Sequence, residues 1–366
     1  MRIAPFEIER YYERWEFTAE LMLSSSDCES MALHELIAFE PGAERRMLDL
    51  RLGYTEVAGS AELRDAVAGL YRGVGVEDVL SVAAAEEALF LAFHALLEPG
   101  DEAIVEMPCY GSPPALARSA GAAVIPWLRR SEDGWAHRPG ELSELIGANT
   151  RLIYLNSPHN PTGHSLGEEE FAGVLELAAE REIPVLCDEV YRGLEHGARQ
   201  LPAGVERYER AISLGAVSKA QGLPGLRIAW VACRDSELLR RMRELKLYTT
   251  ICSSAPSELL VALALRHNDA LTGRSLATVQ RNLPLIDGLL ERRSDLLTWT
   301  RPVAGATGFA RLHGIDDVRG WCEGLARDAG VLLLPGSVYG VDDHVRLGFG
   351  RADLPQAIER LEAALG

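Results

Sequence analysis

Residues 184–191 read Pro184-Val185-Leu186-Cys187-Asp188-Glu189-Val190-Tyr191, a short apolar run that ends on a carboxylate. A run with no polar alternation is what a strand buried on both faces of a parallel sheet requires, and its last residue emerges at the sheet's edge. The rhythm recurs along the chain. Runs at Val79 to Ala83, Glu102 to Met107, Ala122 to Leu128, Arg151 to Asn156, Ala211 to Val217 and Leu226 to Cys233 alternate with helix-like segments. Such a βαβ succession predicts an α/β fold built on a mainly parallel sheet.

This large domain is placed at about residues 46–245. Before it, residues 1–45 form an N-terminal arm and part of a smaller domain. After it, residues 246–366 supply a bridge and the rest of that smaller domain: a helical stretch around Pro256 to His267, a long helix from about Ser275 to Arg293, then strand-like pieces at Gly308 to Leu312, Val331 to Leu334 and His344 to Phe349. Helices at Asp316 to Ala329 and Leu354 to Leu365 complete an α+β pattern. No repeat or low-complexity linker interrupts it.

The composition bounds the function. The chain has 366 residues, a formal net charge of −17, 47% hydrophobic and 25% charged residues, which fits a packed enzyme and repels a nucleic-acid backbone. No apolar stretch reaches the roughly 20 residues a spanning helix needs, and the N-terminus is charged and aromatic rather than signal-like, so a cytoplasmic protein without membrane or nucleic-acid partners is expected. The six cysteines are scattered without metal spacing, and His159 and His164 lie in a Pro/Gly loop with no third ligand, so no metal is expected.

Several short motifs carry chemistry in a fixed order: Asn160-Pro161-Thr162-Gly163, Asp188-Glu189-Val190-Tyr191, Ser218-Lys219, Gly225-Leu226-Arg227, and Arg346 within His344-Val345-Arg346-Leu347-Gly348. Each tetrapeptide is weak alone. Together, from about Tyr54 to Arg346, they resemble the fold-type I aminotransferases of class I/II, a group that includes capreomycidine synthase-like cyclases. The resemblance implies a seven-stranded sheet in the large domain, pyridoxal 5'-phosphate as cofactor, an amino-acid substrate and a homodimer with shared active sites.

The resemblance also assigns roles. Lys219, emerging at a strand end where open α/β sheets bind ligands, matches the lysine that joins the cofactor as a Schiff base. Asp188 matches the carboxylate that keeps the ring nitrogen protonated. At about 4 Å and an effective dielectric near 20 that attraction is about 4 kcal/mol, or roughly three pK units. Asn160 and Tyr191 match donors to the ring oxygen, and Tyr110 the aromatic that stacks on the ring. Arg227 and the turn Ala84-Ala85-Glu86 match the phosphate site, where helix amides favour an anion. Arg346 matches the clamp for the substrate carboxylate. Tyr54 resembles a tyrosine that reaches the partner's phosphate.

Two departures stand out. The family's Gly-Ala-Ser or Gly-Ala-Thr turn is here Ala84-Ala85-Glu86, with Glu86 expected to point away from the phosphate. A phosphate-binding serine is replaced by Ala216, for which Ser218 is expected to compensate. Transamination between an L-amino acid and a 2-oxo acid is the first expectation. Elimination, replacement or cyclisation at the substrate's side chain, in a biosynthetic role, is the alternative, and the aromatic N-terminus (Tyr11, Tyr12, Trp15, Phe17) keeps it open. A non-catalytic, DNA-linked module is disfavoured by the acidic charge and the lack of a basic extension. The N-terminal arm and the loops 24–27 and 248–254 are expected to shape substrate choice, with Asp27 either receiving a cationic side chain or capping its loop.

Overall fold

A computed structural model describes residues 3–138 and 140–365. Seven strands form the larger sheet: β1 (Val79–Val82), β2 (Glu102–Met107), β3 (Ala123–Leu128), β4 (Thr150–Asn156), β5 (Val185–Asp188), β6 (Ala211–Ala216) and β7 (Ala229–Ala232). Their order is β1-β7-β6-β5-β4-β2-β3. Neighbours from β6 to β3 run parallel, whereas β7 is antiparallel to both β6 and β1. Strands β1, β5, β6 and β7 are buried along their whole length, which explains their unbroken apolar sequences.

The sequence reading needs correcting at four places, one of them the strand expected at Val331 to Leu334, of which only Leu334 falls within a strand. Buried character fails at β3, which is the edge strand and leaves Ala123, Pro126 and Leu128 exposed; a proline inside a strand is tolerated there because no further strand needs its N–H. The run Leu226 to Cys233 is not all strand. Pro224–Leu226 forms a tight helical turn and Arg227 sits at φ +51°, a left-handed conformation that no strand accommodates, so extended structure starts at Ala229. The long helix begins at Asn268 rather than Ser275 and runs to Arg292.

A second sheet, antiparallel, contains β8 (Leu297–Trp299), β9 (Thr307–Leu312), β10 (Leu334–Pro335) and β11 (His344–Gly348) in the order β10-β11-β9-β8. Strand β8 has three residues, too few for a periodic signal. The N-terminal segment docks on this sheet: Leu21 N–H donates to the Gly330 carbonyl, Leu332 N–H to the Leu21 carbonyl and Gly348 N–H to the Leu23 carbonyl, each at 2.8 or 2.9 Å. None of the described helices is long and apolar enough to cross a membrane.

Gly348 marks how closely that segment approaches. A Cβ there would lie 2.1 Å from the Ser25 carbonyl oxygen and 2.7 Å from its nitrogen. Gly348→Ala is therefore expected to lower stability by about 1–3 kcal/mol through overpacking against backbone, measured by urea unfolding; an unchanged midpoint would show that the arm is not held this tightly.

Candidate active site

A cavity of about 340 Å³ opens beyond the ends of β4, β5 and β6, and eleven of the twelve residues expected from the sequence line it. Tyr54 is the exception: its side chain is 94% exposed and lies outside the cavity. A larger cavity of about 590 Å³, lined by Tyr71, Glu189 and Asn268 among others, contains none of the twelve. Size alone does not locate the chemistry.

The floor follows from the sheet register. Asn156 at the end of β4 pairs with Asp188 at the end of β5, and Lys219 follows three residues after β6. The Tyr154 hydroxyl donates to Asp188 Oδ2 at 3.0 Å, and the Val190 N–H to Oδ1 at 3.3 Å. Burial pushes the Asp188 carboxyl up to about 6, against the pull of those donors and of the Lys219 charge. A cation set beside it would reverse that penalty, so the position favours a positively charged group.

Lys219 Nζ donates to Ser26 Oγ at 2.8 Å and stands 6.0 Å from the centre of the Tyr191 ring. Burial lowers its pKa, with Asp27 opposing, which favours the neutral, nucleophilic amine. The chain has just one other lysine, Lys246. That amine is committed to structure, donating to the Val57 and Ser81 carbonyls at 2.6 and 2.7 Å.

Arg346, in the middle of β11, is 2% exposed. Its Nε donates to the Ser24 carbonyl at 3.0 Å. Nη1 donates to Asn160 Oδ1 at 3.0 Å and to the Tyr339 hydroxyl at 2.5 Å, and Nη2 to the Tyr12 hydroxyl at 2.5 Å and the Ser24 carbonyl at 2.7 Å. All five donors are satisfied, yet every acceptor is neutral. Among the described residues no carboxylate pairs with Arg346, so a buried charge waits for an anion.

The helix Ala85–Leu96 opens at the cavity. Its N-cap, Ala84, contributes no capping side chain; the Glu87 N–H donates to the Ala84 carbonyl at 3.1 Å, which leaves the N–H groups of Ala85 and Glu86 to an outside acceptor. Arg227, held in its left-handed turn, also lines the cavity, as does Ser218. Glu86 lines the cavity as well, and burial pushes its carboxyl up to about 7, against a hydrogen bond with Ser112 and with the charges of Glu9 and Asp188 adding.

The N-terminal arm forms one wall, though the sequence assigned no site residue within it. The helix Glu7–Trp15 brings Ile8, Glu9 and Tyr12 to the cavity; Tyr110 packs edge-on against Phe6 at 4.9 Å and donates to Glu9. The cluster of aromatics at the N-terminus was the available signal. Asp27 pairs with Arg351 at 3.0 Å and takes a hydrogen bond from Ser25 at 2.6 Å. Although burial works against ionisation, the charges of Lys219 and Arg351 hold its carboxyl below the usual range.

A strand-end amine, a buried carboxylate in line with it, uncapped helix amides near an arginine, and a guanidinium without an anion suit pyridoxal phosphate and an amino acid. The fold and cavity together define a pyridoxal phosphate-dependent enzyme of fold type I. The chain belongs to the aminotransferase class I and II family, whose description matches residues 20–361. It is 32% identical to capreomycidine synthase of Streptomyces vinaceus over 362 residues, covering 98% of this chain and 92% of that protein. It is 29% identical to an aspartate/prephenate aminotransferase of Thermus thermophilus, covering 88% and 86%. Among solved structures, a PLP-dependent aminotransferase from Streptococcus suis superposes with TM-score 0.94 at 30% identity, covering 100% of this chain and 98% of that one. The PLP-dependent cyclase OrfR superposes with TM-score 0.91 at 28% identity over the same shares.

Glu86 generates a pH prediction. With its carboxyl near 7, the side chain gains negative charge between pH 6 and 8, beside amides that would hold a phosphate. Wild-type affinity for pyridoxal phosphate is expected to weaken over that interval relative to Glu86→Gln, with the variant binding more tightly at pH 8 and the two nearly equal at pH 6. Titration of apoprotein at both pH values checks this; equal affinities at pH 8 would place Glu86 away from the phosphate.

Proposed function

We propose that the protein transfers the amino group of an L-amino acid to a 2-oxo acid. The observation that supports this most is the meeting of the Lys219 amine, the Asp188 carboxylate and the unpaired Arg346 guanidinium in one cavity. When bound, pyridoxal phosphate supplies an electrophilic aldehyde and a ring able to accept electrons. Lys219 would hold it through its amine, and the freed amine would take the proton from the substrate's Cα and return it to the carbon that receives the amino group. Asp188 keeps the ring nitrogen charged. Asn160, whose oxygen is occupied by Arg346 and Tyr339, is left with its amide N–H groups to donate to the ring oxygen, together with the Tyr191 hydroxyl. Tyr110 stacks on the ring. Ala84, Ala85, Glu86, Ser218 and Arg227 surround the phosphate. Arg346 grips the substrate carboxylate, which takes over donors now satisfied by neutral oxygens.

A second copy of the chain completes the site in this reading. Tyr54 lies outside its own cavity, and Leu48, Leu52 and Tyr248 are likewise at least three-quarters exposed. A partner covering these side chains would bring its own Tyr54 to the phosphate.

The likeness to capreomycidine synthase across nearly the whole chain, and to OrfR, favours a second reading: side-chain elimination, replacement or cyclisation after the same proton removal. Incubation with single amino acids and no 2-oxo acid separates the two. A transaminase converts at most one equivalent per site, whereas repeated turnover would replace transfer by the second reading.

Asp188→Asn keeps the shape and removes the charge. Losing about 4 kcal/mol of attraction is expected to cut kcat/KM by roughly a thousandfold, while Lys219 still holds the cofactor and the protein stays yellow. A loss under tenfold would remove Asp188 from this role.

A further inference from the structure

Glu106 is a carboxylate within the buried part of β2, flanked in sequence by Ala103, Ile104 and Val105 and with no solvent contact. Its Oε1 accepts from Arg129 Nε at 2.5 Å and from His137 Nε2 at 2.7 Å. Its Oε2 accepts the backbone N–H of Asn156 at 2.7 Å, with His159 Nε2 at 3.8 Å. The His137 ring stacks on Trp127 at 3.6 Å, which fixes its direction. Burial opposes the charge on Glu106, but Arg129 and the surrounding histidines outweigh it and hold the carboxyl far below its usual range. Burial pushes His159 and His164 down to about 3, so both are neutral near pH 7. At working pH those two rings therefore add no charge to the pairing of the Glu106 carboxylate with the Arg129 guanidinium.

This ion pair holds both ends of the loop that carries Asn160. At the near end, Glu106 fixes Asn156. Asn156 Oδ1 in turn accepts the Asn160 N–H at 2.8 Å, and Asn156 Nδ2 donates to the Asp188 carbonyl at 2.9 Å. At the far end, Arg129 Nη1 donates to His164 Nδ1 at 2.9 Å and to the Trp135 carbonyl at 2.5 Å. Asn160 Oδ1 then meets Arg346 at 3.0 Å. An unbroken series of hydrogen bonds thus runs from a dry ion pair, outside the cavity, to the ring-oxygen donor and the carboxylate clamp. A buried ion pair adds little net stability compared with apolar side chains of the same volume, whereas it does impose a particular arrangement.

We propose that Glu106 is a positioning residue that acts through Asn156 to place Asn160 against the cofactor's ring oxygen. The inference rests on the reading that Asn160 donates to that oxygen. A donor there draws electron density from the oxygen and makes the neighbouring Lys219–cofactor nitrogen easier to deprotonate. Loosening Asn160 must then raise the pH at which that nitrogen loses its proton. The groups that face Lys219 include Asp27, Glu9, Asp188, Tyr12, Tyr191 and Arg346; of these Asp188 feels the Glu106 charge, but removing a negative charge would lower the midpoint of a protonated nitrogen, so a rise reports the loop.

The test uses the holoprotein and follows the pH midpoint of the visible absorbance change of bound pyridoxal phosphate. Glu106→Gln is expected to raise that midpoint by about half to one unit. His137→Phe, which keeps a ring against Trp127 but removes one donor to Glu106, is expected to raise it by less, and it decides the matter if Glu106→Gln does not fold. An unchanged midpoint in a soluble variant, even one with a lowered melting temperature, would reduce Glu106 to a structural role and overturn the proposal. Wild-type protein that shows no visible band with pyridoxal phosphate would instead overturn the reading beneath it.

Discussion

Arg346 carries a full positive charge into a region almost without solvent, where it meets oxygens of Ser24, Tyr12, Tyr339 and Asn160 and no carboxylate. Those four acceptors come from the N-terminal segment, the turn before β11 and the loop after β4, so one side chain ties the two sheets and the arm together. Neutral hydrogen bonds satisfy its donors but leave its charge uncompensated. The arrangement is stable enough to fold and still gains when an anion arrives, which is how a site can be preformed and yet demand a carboxylate.

The opposite wall works by the same electrostatics with the sign reversed. Asp188 is buried and lifted to about 6, so it too lacks a counter-charge until a cation lies beside it. Between the two, the Lys219 amine is biased toward its neutral form by burial. The cavity thus has an acceptor of positive charge, an acceptor of negative charge and a nucleophile between them, held by three parallel strand ends and one antiparallel strand. Sheet register fixes the first two elements and Arg346 closes the third side.

Much of this was legible in the sequence because strand ends are written as apolar runs that stop on a functional residue, as at Asp188 and Lys219. The strand order and the antiparallel β7 were not, since continuous apolar character reports burial and not direction. Arg227 shows a local limit: its left-handed turn breaks a run that reads as strand, and no glycine or asparagine announces it. Glu86 shows another limit: its place at the cavity wall follows from its motif, but the burial that raises its pKa comes from neighbours the sequence does not reveal. Tyr339 and Asn156 were invisible as site residues, for Tyr339 meets Asn160 across 179 positions and Asn156 acts through bonds to other elements 32 and 50 positions away. Glu106 was written in plain view as a charge inside an apolar strand, but its partner Asn156 lies 50 residues away.

The central claim is that a single amine, one of only two lysine amines in the chain, holds the cofactor. Borohydride reduction of protein loaded with pyridoxal phosphate, followed by peptide mass analysis, tests it most directly. The account expects one phosphopyridoxyl group per chain, on the peptide containing Lys219. A label on Lys246, or no label on protein that remains folded, would contradict it.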